Sequence, residues 1–410
     1  MKFYDYRGIC LYCADNSVNI PKNAHEVNES FSPIAILINR DPMNSRSVFP
    51  VLSGGEVYES EGVGLFLPCA HESDLPRSVL DIVASGEAFC VNTAFPLVFD
   101  GLSALRQDKK RFTLTLVGLG DVGATVLLGL KLLGSDIDSI RIYDPNEALC
   151  ARYEAELNQI LPMYSDVPKV EIADRSKLFD CDAFLFTASV GVPPVTENIP
   201  DVRMFQYARN RAMLKRYAIE ARESGFTGLF AQISDPVDHL SRAVFTDSNT
   251  ASDGTMDFLG LLPEQIQGYG LGVMRARAEY TADKIGVDRR DIRVYGPHGN
   301  GLIVANSPNE NYDDDISLAL TEAARTANLR VRELGFKPYI APGISSACVS
   351  ILKTLRGQWH WSAVPMGGAY MGCESRFTHS GIEIRREKLS PKLTERLTET
   401  FDTLRRFDYR

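Results

Sequence analysis

The stretch FTLTLVGLGDVGATVLLGLKLLG, residues 112–134, runs from an alternating apolar segment through three closely spaced glycines into a longer apolar segment. The alternation is typical of a strand, and the longer segment is typical of a helix that ends at its last glycine. Gly118, Gly120 and Gly123 stand between them at G-x-G-x-x-G spacing. The first allows a tight turn, the second lets a pyrophosphate approach the backbone, and the third lets helix pack on strand. The stretch therefore predicts the first strand, turn and helix of a dinucleotide-binding domain.

The chain beyond this stretch continues to alternate between strand-like and helix-like segments. The segments are the strand SIRIYD, the helix NEALCARYEAELNQIL, the strands KVEIAD and AFLFTAS, a long helix over 202–225 and the strand GLFAQIS. AFLFTAS is nearly all apolar, as a strand buried on both faces should be. Such alternation predicts an α/β fold with a doubly wound parallel sheet of the Rossmann type over 109–250. The alternation is lost after the polar loop TDSNTASDG, which predicts a boundary near residue 250.

An acidic residue indicates which dinucleotide the predicted domain prefers. Asp144 ends the second strand, 21 residues after Gly123. A carboxylate there accepts hydrogen bonds from the adenosine ribose and repels a 2′-phosphate, so NAD is favoured over NADP. The predicted cofactor site comprises Gly118, Gly120, Asp121, Val122, Gly123, Asp144, Thr187 and Ala188.

Composition and charge exclude several other classes of protein. The chain has 410 residues, 44% of them hydrophobic, and a net charge of -9. Binding of nucleic acid needs a basic surface, which this balance argues against. No apolar stretch approaches the length of a membrane span, and the first residues do not resemble a signal peptide. We therefore expect a cytoplasmic protein that binds small molecules, with no nucleic-acid or membrane partner.

Residues 1–108 form a separate region whose role the sequence does not indicate. RGICLYCA, SPIAILINR, SVFPVL and VGLFLPCA are predicted strands, and LPRSVLDIVASG is a predicted helix closed by Gly86. The region is predicted to be a small α/β domain. Cys10 and Cys13 form a C-x-x-C pair, but no second pair or nearby histidine follows, so no metal site is predicted.

The chain from about residue 110 resembles the lactate/malate dehydrogenase family. The resemblance rests on FLFTASVGVPP, VRMFQYARNRAMLK, QISDPVD, GYGLGVMRAR, GPHGN and WSAVPMGGAYMG, which occur in the family's order. It implies an NAD-dependent oxidoreductase that acts on 2-hydroxy or 2-oxo acids. It also implies an α+β substrate domain over 251–410 and a homo-oligomer.

The resemblance assigns roles to five residues. His298 in GPHGN is the acid/base that protonates the 2-oxo group, a task suited to imidazole. Arg203 polarises the substrate carbonyl. Arg277 clamps the substrate carboxylate with its planar fork, with Arg275 as the alternative. Asn210 and Asp235 are implied to be further substrate-binding residues.

Two positions depart from the family. The family has an aspartate three residues before the clamping arginine, where it holds the catalytic histidine, and this chain has Met274 there. The family's N-P-V-D asparagine is replaced by Asp235. Three explanations are open: another carboxylate contacts His298, the enzyme acts on a different carbonyl or imine compound, or the chain binds NAD without catalysis.

The predicted substrate loop, GVPPVTENIPDV, has no basic residue before Arg203. Malate-specific relatives have an additional arginine there for a second carboxylate. Its absence predicts that the substrate is not a dicarboxylate. Glu197 and Asp201 in the loop favour a neutral or cationic side chain on the substrate, although loop acids are usually only solvated.

Overall fold

The computed structural model describes residues 2–13, 17–105, 109–162, 166–190 and 202–409, with the side chains of 104–105 and 202–205 omitted. Glu197 and Asp201 of the predicted substrate loop and the side chain of Arg203 lie outside the described residues. Among the helices that are described, none is long and apolar enough to cross a membrane.

The N-terminal region forms a sheet of its own. Its strands are β1 (Lys2–Tyr6), β2 (Ile9–Cys13), β3 (His25–Val27), β4 (Ile34–Ile38), β5 (Val48–Pro50) and β6 (Ala88–Asn92). Within the described part of the chain their order is β3-β1-β2-β4-β6-β5, with β2, β4 and β6 parallel. The helices of the region are α1 (Arg77–Ala84) and α2 (Val98–Leu105).

One predicted strand of this region is wrong. VGLFLPCA contains a short 3-10 helix, Val63–Phe66, instead of a strand. Val63, Leu65 and Phe66 are all buried in this turn. Their spacing follows a helical turn, and a short apolar run does not distinguish that from a buried strand.

A larger sheet carries the predicted dinucleotide-binding unit. Its parallel strands are β7 (Phe112–Val117), β8 (Ile137–Tyr143), β9 (Lys169–Ile172), β10 (Ala183–Phe186), β11 (Leu229–Gln232) and β12 (Ile266–Gly268). The helices among them are α3 (Asp121–Leu133), α4 (Glu147–Leu157), α5 (Val202–Glu223) and α6 (Val237–Ser248). The predicted doubly wound parallel sheet is therefore present.

The remaining elements extend this sheet and cover it. They are α7 (Leu271–Ile285), β13 (Arg293–Tyr295), β14 (Ile303–Ala305), α8 (Asp314–Glu333), a π-helical turn (Pro342–Cys348), α9 (Val349–Leu355), β15 (His360–Met366), β16 (Ala369–Thr378), β17 (Gly381–Ile384) and α10 (Pro391–Arg405). The strand order over the residues described is β17-β16-β15-β12-β11-β10-β7-β8-β9. This continuous sheet crosses the boundary predicted near residue 250.

The order of the parallel strands fixes where a ligand would bind. The chain passes from β7 to β8 on one side and returns to β10 on the other side of β7. In such open sheets ligands bind in the crevice at the carboxyl ends of the strands, where the order reverses. The turn after β7 and the segment after β10 border that crevice.

The N-terminal sheet packs directly against the dinucleotide-binding unit. One hydrophobic cluster joins Leu11 and Phe89 of the N-terminal sheet to Phe186, Phe230 and Phe245 of the larger unit. A buried carboxylate adds a polar link, because Glu264 accepts hydrogen bonds from the backbone N–H groups of Ser47 and Val48 and from the Ser47 hydroxyl. The two regions thus share a core.

Candidate active site

The glycine turn after β7 is held tightly against the segment that follows β10. Gly118 has a φ of +96°, and an added Cβ there would collide with the backbone of Ala188. The hydroxyl of Thr187 donates to the carbonyl oxygen of Gly118 at 2.6 Å. A Cβ on Gly123 would collide with the same carbonyl oxygen, whereas one on Gly120 would meet nothing within 4 Å. The turn therefore leaves open space where the motif places a pyrophosphate.

Asp144 lies beside this turn at the end of β8. One carboxylate oxygen accepts a hydrogen bond from the backbone N–H of Leu119 at 2.9 Å, and the other accepts one from Asn146 at 2.9 Å. Each carboxylate oxygen has a further lone pair. The geometry fixes the carboxylate beside the glycine turn, which fits its predicted contact with the adenosine ribose.

His298 lies on the tight turn between β13 and β14. Gly296, Gly299 and Gly301 have φ values of +85°, +141° and +88°, which disfavour any residue with a Cβ. The ring also has little room behind it, because a Cβ on Gly270 would lie 2.9 Å from the His298 Cβ. The bare turn thus brings the imidazole against the start of α7.

A carboxylate lies within hydrogen-bond reach of this imidazole. Nδ1 of His298 is 3.1 Å from Oδ1 of Asp235, which ends the segment after β11. Since an ionised carboxylate only accepts, Nδ1–H donates and Nε2 is left for other chemistry. Asp235 is half exposed and His298 is mostly covered. Of the three explanations for the sequence departures, the structure supports a different carboxylate beside the histidine.

A second aspartate positions the backbone of the same residue. Oδ2 of Asp238, in the first turn of α6, accepts a hydrogen bond from the backbone N–H of His298 at 3.2 Å. Asp238 is fully buried, and its other oxygen has no hydrogen-bond partner among the described residues. Burial raises the pKa of Asp238 to about 7, against the lowering effect of the His298 N–H.

The two arginines of α7 have different environments. The Arg275 guanidinium is occupied by Glu279 at 2.7 Å, by the carbonyl oxygen of Arg289 at 2.6 Å and by that of Ile292. Arg277 instead donates to the carbonyl oxygen of Ala324 at 3.3 Å. These contacts favour Arg277 over Arg275 as the arginine available to a substrate.

The negative charge of Asp235 reaches Arg277. Burial lowers the pKa of Arg277, and the charge of Asp235 raises it. Asp235 thus contacts His298 directly and acts on Arg277 through its charge. Met274 is buried one turn before Arg277 and contacts it through sulfur at 3.8 Å.

Asn210 forms hydrogen bonds to the segment after β10 and to the segment after β11. Its Nδ2 donates to the backbone carbonyl oxygen of Asp235 at 2.7 Å and lies 3.3 Å from the Ser189 hydroxyl. Its Oδ1 accepts from the N–H of Val190 at 3.0 Å. The residue is fully buried and its amide holds the backbone of Asp235; its implied contact with the substrate stays a prediction. Arg203 is the second residue of α5.

A cavity within the described part of the chain lies elsewhere. It has a volume of about 850 Å³ and is bounded by Phe112 and Leu229, which begin two of the parallel strands. It therefore lies at the amino edge of the sheet. The glycine turn, Asp144 and His298 lie away from it, and we assign the candidate active site by their chemistry.

Sequence reasoning missed two features of the site. It took Asp235 as an unusual substrate contact and did not pair it with His298, and it assigned nothing to Asp238. A signal was present in DPVD, where two carboxylates three residues apart precede and open a helix.

Comparison with known proteins supports the resemblance. No family model matches the chain. It is 30% identical to an L-lactate dehydrogenase from Treponema denticola over 204 residues, which are 48% of this chain and 58% of that protein. It is 29% identical to one from Streptococcus agalactiae over 202 residues, 48% of this chain and 56% of that protein. The matched part thus spans little more than half of these relatives.

Solved structures share the fold over a longer part of the chain. A lactate dehydrogenase from a Medee basin deep-sea metagenome library superposes with a TM-score of 0.59 and 18% identity, covering 72% of this chain and 97% of that one. The malate dehydrogenase of Archaeoglobus fulgidus in complex with NADH gives a TM-score of 0.57 and 19% identity, covering 72% and 97%. The predicted fold class and the resemblance to lactate and malate dehydrogenases are confirmed.

Proposed function

We propose that this chain is an NAD-dependent oxidoreductase that transfers a hydride between the nicotinamide ring and carbon 2 of a 2-hydroxy or 2-oxo acid. The observation that carries the proposal is the 3.1 Å contact between His298 Nδ1 and Asp235. Asp235 places a negative charge beside the imidazole, as the family's aspartate does from the position that Met274 occupies here. Arg277, on which the charge of Asp235 acts, would add a cation for the substrate carboxylate.

The residues present fit the dinucleotide. The open space at Gly120 accommodates a pyrophosphate, and the first turn of α3 presents free N–H groups and the positive end of the helix dipole. Asp144 beside the turn would accept hydrogen bonds from the ribose. When bound, NAD(H) supplies the hydride acceptor or donor. The preference for NAD over NADP rests on Asp144.

His298 gives or takes the proton that accompanies hydride transfer. Nδ1–H of His298 donates to Asp235, so Nε2 carries the proton that is given to the substrate's 2-oxo oxygen or taken from the 2-hydroxyl. The carboxylate stabilises the imidazolium form electrostatically. Arg277 can bind the substrate carboxylate through two N–H groups, which orients carbon 2 toward the imidazole.

Two rival functions differ in whether they need the contact between His298 and Asp235. A non-catalytic NAD-binding protein has no need of an acid beside the imidazole, so the Asp235 contact argues against it. A dehydrogenase of another carbonyl or imine compound would use the same pair, and only substrates separate it from the first proposal. The preference for a substrate with a single carboxylate rests on the sequence of the loop before Arg203. A homo-oligomer and a cytoplasmic location remain predictions.

A screen of NADH oxidation over 2-oxo acids tests the proposal. The panel should include pyruvate, longer and aromatic monocarboxylates, 2-oxo acids with a cationic side chain, and oxaloacetate. We expect turnover with a monocarboxylate and little with oxaloacetate, and His298→Ala should abolish it. His25→Ala, on the exposed strand β3, is the matched control. Turnover only with carbonyl compounds that lack a carboxylate, or equal turnover by His298→Ala, would refute the proposal.

A further inference from the structure

An ion pair joins the cofactor helix to a segment distant in sequence. Nζ of Lys337 lies 2.9 Å from Oδ2 of Asp121, the first residue of α3. The lysine side chain is 80% exposed and that of Asp121 is 47% exposed. The pair raises the pKa of Lys337. An exposed pair of this kind contributes little to folding, so the lysine can exchange its partner at little cost.

The segment that follows Lys337 packs against the start of α3. Before Lys337, Gly335 ends α8 with a φ of +83°. After it comes the π-helical turn Pro342–Cys348, a rare geometry that occurs frequently at functional sites. A Cβ on Gly343 in that turn would lie 2.8 Å from the side chain of Thr125 on α3. The lysine is therefore held near the start of the cofactor helix.

The same π-helical turn also contacts the helix that carries Arg277. The Ser346 hydroxyl accepts from the N–H of Val273 at 2.9 Å and donates to the carbonyl oxygen of Gly270 at 2.8 Å. The turn thus packs between the start of α3 and the start of α7. Lys337 lies five residues before this turn in the chain.

The negative charge of Asp121 is favourable at this helix end without a cofactor and unfavourable once a pyrophosphate binds there. With no phosphate present, its carboxylate is favoured by the positive end of α3. A bound pyrophosphate would place anionic oxygens at this same helix end and would repel the carboxylate. The cation already paired with Asp121 is Lys337, on a long flexible side chain that is mostly in solvent.

We propose that Lys337 is a further cofactor-binding residue that exchanges Asp121 for the pyrophosphate of the bound dinucleotide. Asp121 then serves as the resting partner of the lysine and weakens cofactor binding by its charge. The inference rests on the proposed function, since it assumes that a dinucleotide binds at the glycine turn. It adds to that function a residue from outside the dinucleotide-binding unit.

Calorimetric titration of four forms tests the exchange. These are wild type, Lys337→Met, Asp121→Asn and the double variant, each titrated with NADH, ADP-ribose and adenosine. We expect Lys337→Met to weaken NADH and ADP-ribose about three- to fivefold in both the wild-type and Asp121→Asn backgrounds, the range of an exposed charge contact. Asp121→Asn alone should tighten both about twofold. Adenosine, which has no phosphate, should be unaffected.

The outcomes separate this inference from the function on which it rests. Lys392→Met is the matched control, because Lys392 forms an exposed pair with Glu395 on α10, and it should change nothing. If Lys337→Met has no effect in the Asp121→Asn background, the lysine only neutralises the aspartate and the inference is overturned. If wild type binds neither NADH nor ADP-ribose, the dinucleotide function itself fails, and this inference fails with it.

Discussion

Replacing Asp235 by asparagine removes the charge that supports the catalytic imidazole while keeping a similar shape. Asp235 Oδ1 lies 3.1 Å from His298 Nδ1, and an amide oxygen at the same place still accepts the Nδ1–H hydrogen bond. The ring orientation and tautomer are therefore retained. The change isolates the electrostatic contribution of the carboxylate to the imidazolium.

The size of that contribution follows from the geometry and exposure of the pair. Two unit charges about 4 Å apart interact by about 1 kcal/mol in water and about 4 kcal/mol at the effective dielectric of a protein surface. Asp235 is 50% exposed, so solvent screening places the pair toward the lower value, at about 1.5 kcal/mol. This corresponds to about a tenfold change in rate.

The assay measures kcat/KM for 2-oxo acid reduction at one near-neutral pH under saturating NADH. In Asp235→Asn no negative charge supports the imidazole that donates the proton, so we expect kcat/KM to fall about tenfold. Asp283→Asn, an exposed aspartate on α7, should behave like wild type.

A second substitution tests whether a carboxylate at position 274 can replace the one at position 235. Met274 lies one turn after Gly270 on α7, and Gly270 is packed against His298. Met274→Asp in the Asp235→Asn background should therefore recover much of the lost kcat/KM, whereas in wild type it adds a second buried acid and no activity. Wild-type kcat/KM in Asp235→Asn would refute the role assigned to Asp235.

Three further predictions concern the cofactor, the substrate and stability. Wild type should bind NADH more tightly than NADPH, and Asp144→Asn should narrow the difference in a fluorescence titration; equal affinities in wild type would contradict the role of Asp144. Arg277→Lys should raise KM for the 2-oxo acid far more than Kd for NADH, whereas Arg275→Lys should mainly lower the unfolding temperature because its guanidinium bonds to protein groups. Burial raises the pKa of Glu264 from 4.5 to about 7, so this group stabilises the fold at low pH and loses that contribution as pH rises through 7, by roughly 3 kcal/mol at most. Glu264→Gln should flatten this loss in urea unfolding between about pH 4.5 and 7, and a loss as steep as in wild type would contradict it.

The glycine turn and the strands and helices around it were predictable because their signals are local. G-x-G-x-x-G spacing between an alternating and an apolar segment specified β7, the turn and α3 to within a residue or two. The N-terminal region was less predictable. Its short apolar runs include both strands and the 3-10 helix Val63–Phe66, and their periodicity alone does not distinguish the two.

The contact at the centre of the site was not predictable from spacing. Asp235 and His298 are separated by 63 residues and meet only because β11 and the β13–β14 turn converge at one edge of the sheet. The sequence showed an unexpected acid at one position and a missing acid at another, but only the fold shows that both facts concern one imidazole. The link between Lys337 and Asp121, which spans 216 residues, is equally nonlocal.

Transfer of deuterium from cofactor to substrate tests the proposed reaction most directly. NADH deuterated at both C4 positions of the dihydronicotinamide is incubated with the best 2-oxo acid, and the product is examined by mass spectrometry and NMR. We predict a 2-hydroxy acid with one deuterium on carbon 2, formed by wild type and not by His298→Ala. A product without deuterium at carbon 2, or no 2-hydroxy acid from any member of the panel, would contradict hydride transfer to a 2-oxo acid.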